Sequence, residues 1–420
     1  MNEQIKQRIA QLNNGEVPNG YEKTKIGTFP VGWKTTTLDK LLEFKNGVNA
    51  DKEKYNSGVK MISVMDILTD SSIYYDKIKG QVDIDKKTLD TYSVTYGDIL
   101  FQRSSETFED AGKSNVYLDQ DRTATYSGFV IRGKKKADYN PYFLNEALRI
   151  GQVRNQIIRN AAGSQHINVG QDSLAKIVVP LASDAEQSKI AEILMKWDEA
   201  IKFQESYNDY LETRKTYLMR KLLSPSEEWK RAKLGDIAEM YAGGTPSTKI
   251  PEYWGGDIPW IQSGLIQNNY IDINCIDGRI TEQGLKNSST DWIRKNSVLV
   301  AITGATCANI AYLKCDATAN QSVISITTSY VNPLYLYFYL QNARNQLLSL
   351  QNGSAQGGLT LKYLESFEIM FPGKDEQNRT VDVLLSVDDE IALNKDKIEK
   401  LKKQRKALQQ YLLNGIVRVK

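Results

Sequence analysis

Residues 184–222 read DAEQSKIAEILMKWDEAIKFQESYNDYLETRKTYLMRKL, with neither glycine nor proline. A seam in alternating steps of three and four runs through Ile190, Leu194, Trp197, Ile201, Gln204, Asn208, Leu211, Lys215, Leu218 and Leu222. Sustained over the whole segment, that spacing predicts a helix of the coiled-coil kind. Ser183 or Asp184 can cap its start, Glu186 favours the first turn, and Ser224-Pro225 ends it. A second seam has the same plan: Thr380, Leu384, Val387, Ile391, Asn394, Ile398, Leu401, Arg405, Leu408 and Leu412, preceded by Gly373 and Asp375 and closed by Asn414-Gly415. The plain alternative is that each helix packs only on its own domain.

The polar interruptions bear on direction. Paired parallel and in register, Lys215 would face Arg405, and two uncompensated charges in a seam cost several kcal/mol. Paired antiparallel, Asn208 falls opposite Asn394 and Arg405 comes near the face of Trp197, so one Asn pair sets register and one cation meets an indole. The antiparallel pair is therefore expected. A helix over Asp184–Leu222 spans about 58 Å at ~1.5 Å per residue. Such a rod can hold two similar units, related by a pseudo-twofold axis, one or more ~34–36 Å turns of DNA apart.

Working outward from the helices, the chain is a duplication. Trp33-Lys34 and Leu38 recur as Trp229-Lys230 and Leu234, and Gly47 recurs as Gly243. Asp98-Ile-Leu-Phe101 answers Ser297-Val-Leu-Val300, and Thr123-Ala124 with Ser127 answers Thr318-Ala319 with Ser322. Asn140-Pro141 answers Asn332-Pro333, and Glu186-Gln187 answers Glu376-Gln377 at the two helix starts. A repeat of about 190 residues is far longer than a solenoid unit and denotes two homologous domains. Each begins with short β-branched and aromatic runs broken by Gly, Asn, Asp and Pro, such as Lys60–Val64, Asp98–Phe101, Gly128–Arg132 and Lys176–Pro180. The expected fold is mixed α/β: two similar globular domains, each followed by a long helix, the helices packed as an antiparallel coiled coil. The expected boundaries are 1–183 and 225–373 for the globular domains, with 184–224 and 374–420 for the helices and tail.

Composition narrows the function. With 420 residues, 41% hydrophobic and 25% charged, the chain has the profile of an ordinary folded protein. The first residues, MNEQIKQRIAQLNNGE, lack the apolar stretch of a signal peptide, and no apolar run approaches the ~20 residues of a membrane span; the cytoplasm is the expectation. Three cysteines, Cys275, Cys307 and Cys315, have no C-x-x-C spacing, and the single histidine, His166, leaves no two-His metal site. A net charge of +3 is compatible with nucleic acid only where cations concentrate. Asn140-Pro-Tyr-Phe143 superficially resembles an amino-methyltransferase motif; its second Pro is missing, and it reads as a helix start with Asn capping and Pro in the first position, as does Asn332-Pro-Leu-Tyr335. No G-x-x-x-x-G-K-[ST] motor loop occurs, and Asp51-Lys-Glu-Lys54 is ordinary Lys-rich surface. Tyr335–Leu340 reads as a core helix, and Arg132-Gly-Lys-Lys-Lys136 as either a solvated hairpin end or a DNA-backbone contact.

The chain resembles the specificity subunit of type I restriction-modification systems. The residues that carry this are Ile26-Gly-Thr-Phe-Pro-Val-Gly-Trp-Lys34 with Leu38, then Glu228-Trp-Lys230, Leu234-Gly-Asp-Ile237 and Gly243-Gly-Thr-Pro-Ser247. Tyr96-Gly-Asp-Ile-Leu100, Gly163-Ser-Gln165, Gly353-Ser-Ala-Gln356, Pro180, Pro372 and the Glu-Gln helix starts add to it, over roughly residues 24–415. Lys45-Asn-Gly-Val-Asn49 departs from the Gly-Gly-Thr-Pro-Ser pattern of the second domain, so the two domains are expected to read different half-sites. The resemblance implies a non-catalytic subunit that recognises a bipartite, asymmetric double-stranded DNA target. It implies docking of two adenine-methyltransferase subunits on the spacer helices and the presence of two motor-nuclease subunits. S-adenosylmethionine, ATP and Mg2+ would reside on those partners, with no cofactor, metal or catalytic residue in this chain and no membrane contact. A protein-interaction scaffold with two binding domains on a coiled coil is the rival reading, and a lone methyltransferase a weaker one.

Polar side chains on Gly-containing loops are the candidates for DNA contact. In the first domain these are Arg103, Ser104, Ser105, Thr107 and Lys113, with Gly163, Ser164, Gln165 and His166. In the second they are Thr245, Ser247, Thr303, Thr306, Asn309, Ser354, Gln356 and Lys362. The spacer pairing is assigned to Leu194, Trp197, Ile201, Asn208, Leu211 and Leu218 on one helix, and to Leu384, Ile391, Asn394, Ile398, Leu401, Arg405 and Leu408 on the other.

Overall fold

Two long helices form where the seams predict them, Asp184–Leu222 and Lys374–Leu413. The first is capped by the Ser183 hydroxyl, which accepts from Glu186 N at 3.4 Å; the second closes on Gly415, whose φ of +64° is the left-handed turn that favours glycine. The computed structural model describes residues 3–163, 166–349 and 358–419. It divides into a first unit, Met1–Glu205 with Lys397–Lys420, and a second, Ser206–Asp396. Each unit thus contains the start of one long helix and the end of the other.

In the first unit an antiparallel sheet runs in the order Leu42–Asn46, Val130–Lys135, Ile99–Gln102, Ser114–Val116. The second unit repeats it as Glu239–Ala242, Val323–Thr327, Val298–Ala301, Ile310–Leu313, with Asn269–Ile271 added in parallel at the edge. A smaller sheet also recurs: Thr125–Tyr126 lies parallel to Tyr55–Ile62, and Thr318–Ala319 lies parallel to Trp254–Ile261. This pairing corrects the repeat register read from sequence. Thr125-Tyr126, and not Thr123-Ala124, is the counterpart of Thr318-Ala319, because Met61 and Trp260 occupy the matching ladder positions. The Lys60–Val64 run is also shorter as a strand than it reads: the strand ends at Ile62, and Ser63 and Asp66 form a capping box over the helix Val64–Ile67.

The repeated residues turn out to join each globular part to its helix. Lys34–Thr37 pairs with Val178–Leu181, and Lys230–Lys233 with Glu368–Phe371, so the strand after each Trp flanks the strand that leads into the long helix. Trp33 stands edge-on to Phe143 at 6.3 Å, as Trp229 does to Tyr335 at 6.4 Å. The Gln of each Glu-Gln pair bridges two chain segments. Gln187 Oε1 accepts from Asn140 N at 3.0 Å while its Nε2 donates to Ala182 O at 2.9 Å; Gln377 does the same with Asn332 N at 2.8 Å and Pro372 O at 2.8 Å. Asn140 and Asn332 are N-caps, accepting from Phe143 N at 3.0 Å and Leu334 N at 2.9 Å, with Pro141 and Pro333 in the first turn. Tyr335–Leu340 is wholly buried, as a core helix. Arg132 is buried in the strand Val130–Lys135, its guanidinium over the Tyr126 ring at 5.4 Å, which leaves only Lys134 and Lys136 of the basic run exposed.

Within each unit the two helices run antiparallel. In the first, Asp198 Oδ1 meets Arg405 Nε at 2.8 Å and Glu205 meets Lys402 at 2.7 Å. In the second, Glu212 meets Lys395 at 2.9 Å and Lys215 meets Asp388 at 2.6 Å. Leu211, Val387 and Ile391 form an apolar cluster between the helices, and Asn394 is buried in the same unit. Leu194, Ile201, Leu384, Ile398 and Leu412 are buried, and Trp197, Asn208, Leu218, Leu401 and Leu408 are half-buried. Each helix starts on one core and ends on the other: Ile190 and Leu194 share the first unit's core with Leu412 and Leu413, and Val381 and Leu384 share the second's with Met219 and Leu223.

Asn208 is expected to set the register by pairing with Asn394, but its Oδ1 is buried without a hydrogen-bond partner, and the salt bridges across the helices fix the register instead. A second expected contact is replaced. Arg405 is held by Asp198 and by buried Glu146, at 2.7 Å, instead of lying over Trp197. Two carboxylates offer a buried guanidinium far more than a ring face does. Burial opposes the Arg405 charge, yet the attraction of Glu146 and the hydrogen bonds from Asp198 and Glu146 outweigh it and raise the pKa.

The tail after the second helix docks in the first unit. Arg418 Nε donates to Glu186 Oε1 at 2.7 Å, and Trp33 Nε1 donates to Glu186 Oε2 at 2.9 Å. Burial pushes the Glu186 carboxyl up, but these donors outweigh it and hold the group below the usual glutamate range. A depressed pKa means stability that is present above the unfolded value, about 4.3, and is lost as pH falls through the folded one. The stability difference between the wild type and Glu186→Gln is therefore expected to be constant near neutrality and to shrink below about pH 4. Urea denaturation across pH 3–7 checks this; a difference independent of pH contradicts it.

Candidate nucleic-acid interface

The strand ladders bring the candidate loops of the first unit to one end of its sheet. Gln102 lies opposite Val130 and Asn46 opposite Ile131. The loops after Asn46, before Val130 and after Gln102 therefore emerge together. Gly47 N donates to Val130 O at 3.1 Å, and Arg103 N to Phe129 O at 3.0 Å. Ser104-Ser105 then pairs antiparallel with Ile167-Asn168, which draws His166 alongside. Ser104 Oγ donates to Asn168 Oδ1 at 2.5 Å, and His166 is exposed beside it. Gly163 is required, because a Cβ there would stand 2.0 Å from His166 O at a φ of +137°.

The second unit repeats this end. Gly243 N donates to Val323 O at 3.0 Å and Ile302 N to Ser322 O at 3.0 Å. Thr303 and the single turn Gly304–Thr306 follow, with Thr303 exposed. Leu359 N donates to Ile302 O at 3.0 Å, as Val169 N does to Arg103 O at 3.0 Å, so the second loop returns to the same place in both units. Thr245 Oγ1 bonds to Gln321 Oε1, and Ser247 is exposed while its carbonyl accepts from Trp254 Nε1 at 3.2 Å.

Several candidates have other partners. Ser105 Oγ donates to Thr107 O at 2.8 Å, and Thr107 Oγ1 accepts from Asp110 N at 3.3 Å, so both hydroxyls shape the loop. Lys113 pairs with Asp110 at 2.5 Å, and its hydrogen bond holds that carboxyl below the usual range. Exposed pairs of this kind contribute little, so the ammonium is easily redirected. Asn309 is buried: Nδ2 donates to Ile266 O at 3.1 Å and Oδ1 accepts from Arg344 Nε at 3.1 Å. Thr306 is half-buried, and Lys362 is exposed on the helix Leu361–Ser366. Ser164, Gln165, Ser354 and Gln356 lie outside the described residues.

The geometry adds residues that were not among the contact candidates: Asn49 and Ser127–Phe129 in the first unit, Gln321 and Ser322 in the second. The available signal was the repeated Gly47 and Gly243. A Cβ on Gly47 would lie 2.1 Å from Ser127 O, and one on Gly243 2.3 Å from Ala319 O. These glycines let the loop after the edge strand touch the turn before the central strand. Either Gly→Ala change is expected to cost about 1–3 kcal/mol by forcing backbone apart, measured as a drop in the melting temperature. An unchanged transition would show that the turn gives way freely.

Among the described residues no helix is long and apolar enough to cross a membrane, and no group of three or more His, Cys, Asp or Glu side chains gathers as a metal cluster.

Sequence comparison places this architecture. The type I restriction modification DNA specificity domain family matches twice, over residues 30–213 and 226–403. The chain belongs to that family. Among curated relatives, a putative type I restriction enzyme specificity subunit of Methanocaldococcus jannaschii is 25% identical over 424 aligned residues, covering 95% of this chain and 97% of the relative. A type I restriction enzyme specificity subunit of Escherichia coli is 30% identical over 301 residues, 66% of this chain and 70% of the relative. Solved structures agree in fold. A chain from work on complex assembly and conformational transition of the type I R-M system aligns with a TM-score of 0.61 at 14% identity, covering 93% of this chain and 99% of that one. The type I restriction-modification S subunit from M. genitalium aligns at 0.56 and 16% identity, covering 94% and 97%. The protein is thus a type I DNA specificity subunit, a non-catalytic component with two target recognition domains.

Proposed function

We propose that each target recognition domain of this S subunit reads one half of a bipartite, asymmetric duplex target with the loop cluster at the end of its sheet. The globular domains would comprise 1–183 and 225–373, with 184–224 and 374–420 as spacer helices and tail. The observation that carries the reading is the pair of matched loop ends built on one scaffold with unlike side chains: Asn49, Arg103, Ser104 and Phe129 in one, Thr245, Ile302, Thr303 and Ser322 in the other. Equal scaffolds give equal approach to the duplex, and unequal tips give unequal base preference.

In this reading the complex works in the cytoplasm. Two adenine-methyltransferase subunits dock on the spacer helices and carry S-adenosylmethionine, and two motor-nuclease subunits bring ATP and Mg2+. The E. coli and M. jannaschii relatives, described as restriction enzyme specificity subunits, support it. The test is to map methylated adenines in DNA exposed to the assembled enzyme. A two-part motif with a fixed gap, and duplex binding that weakens steeply with salt, is expected. Protein binding without sequence-selective duplex binding would favour the interaction-scaffold reading instead.

A further inference from the structure

We propose that Phe129 of the first recognition domain packs against the 5-methyl group of a thymine in the half-site which that domain reads. The inference rests on the function proposed above and names one base contact within it.

Phe129 is 65% exposed, although it belongs to a tightly determined turn. Its carbonyl accepts from Arg103 N at 3.0 Å, and Gly128 O accepts from Arg103 Nη1 at 3.3 Å. On the other side the turn presses on the loop after Asn46: a Cβ on Gly128 would lie 1.8 Å from Asn49 Oδ1. The backbone is thus held from two directions while the ring projects into solvent. Met65 is 74% exposed on the helix Val64–Ile67, which follows Ile62, whose carbonyl accepts from Ser127 N at 2.9 Å. Phe129 is thus fixed beside Arg103, and Met65 is a second exposed apolar side chain on the segment that Ser127 meets.

The second domain places different chemistry on the same frame. Ser322 carries the carbonyl that accepts from Ile302 N, and so stands where Phe129 does; Gln321, bonded to Thr245, stands where Gly128 does. A hydroxyl and an amide replace a ring and a hydrogen. On a duplex, the thymine methyl is the apolar group that a base edge presents in the major groove, and an aromatic side chain on a rigid turn is a fit partner for it. The guanidinium of Arg103, which donates to Gly128 O in the same turn, has further donors for a phosphate or a purine edge.

The test uses the chain assembled with its methyltransferase subunits and synthetic duplexes of the mapped target. Each thymine of the first domain's half-site is replaced in turn by deoxyuridine, which removes only the methyl group. The wild type is expected to lose affinity about fourfold at one such position, the effect of one buried methyl. Phe129→Ala is expected to bind the unmodified target about as weakly and to be indifferent to deoxyuridine at that position. Its salt dependence, other half-site and melting temperature should match the wild type. Phe129→Ser, the residue of the second domain, should behave alike. Equal sensitivity of variant and wild type at every thymine overturns the proposal, as does a half-site with no thymine. So does a variant that assembles poorly with the methyltransferase yet binds target normally once assembled. Absence of any sequence-selective binding by the wild type would instead remove the function on which the inference stands.

Discussion

Inserting one heptad after Glu205 in the first long helix and another after Asp396 in the second is expected to widen the gap in the methylated motif by about three base pairs. Both half-sites should be unchanged. Seven residues add ~10.5 Å of helix, against ~3.4 Å per base pair. A heptad preserves the seam, so the insert pairs as the flanking helices do, and the facing set of Leu211, Val387 and Ile391 stays intact. The helix drifts only ~20° over a heptad, whereas three base pairs turn the duplex by roughly 100°. The variant should consequently bind its new target more weakly than the parent binds its own. Methylome mapping of the assembled variant reads both quantities. New bases within a half-site at an unchanged gap would show that the helices do not set the separation.

Arg405→Ala is expected to have the largest effect on stability, about 3–5 kcal/mol, because it takes the nearer of two cations from a buried carboxylate and leaves only the more exposed Arg149 beside it. Glu146 accepts from Arg405 at 2.7 Å, from Gln409 Nε2 at 2.9 Å and from Arg149 at 3.1 Å, and its side chain is 2% exposed. Arg405 Nη2 also donates to the Tyr142 hydroxyl at 2.9 Å, and that hydroxyl bonds to Asp198. The network joins the end of the second helix to the helix Pro141–Ala147 and to the start of the first helix. Since the Arg405 pKa is raised from an already high value, the loss should be the same from pH 6 to 9. Adding Glu146→Gln to Arg405→Ala removes the stranded charge and should restore more than half of the loss. Urea denaturation of the full chain measures both variants; a double variant no better than the single one would place the loss in packing, not charge.

The same pair recurs with its residues exchanged between helices. Asp198 and Asp388 hold corresponding places in the two seams, one step beyond Trp197 and Val387, and they meet Arg405 and Lys215. The Tyr270 hydroxyl supports Asp388 at 2.6 Å, with its own pKa raised first by burial and then by the Asp388 charge. The cations looked like flaws in an apolar seam when each helix was considered alone. Each is matched across the pair by a carboxylate that its own helix does not present to it, and Arg405 also by Glu146.

Periodicity and duplication were legible because they are local or additive properties. A seven-residue apolar spacing specifies an amphipathic helix whatever its partner, Asn before Pro caps a helix by short-range geometry, and a motif given twice must serve the same structural need twice. Trp33 and Trp229, the two capping Asn residues and Gln187 with Gln377 all emerged as joints of the fold for that reason. The recognition ends were only half legible. Arg103, Ser104 and Thr303 stand out by composition and loop setting, whereas Phe129, Asn49 and Gln321 meet them only because separate strands are hydrogen-bonded in a particular register. A shift of two residues in that register, as between Thr123 and Thr125, moves a side chain to another position without changing local sequence character. What the chain by itself determined was two alike domains and two paired rods. Which side chains share a surface, and which buried charges find a counter-charge, was decided by tertiary contact, since hydrogen-bond register and Coulomb pairing depend on distances between residues far apart in sequence.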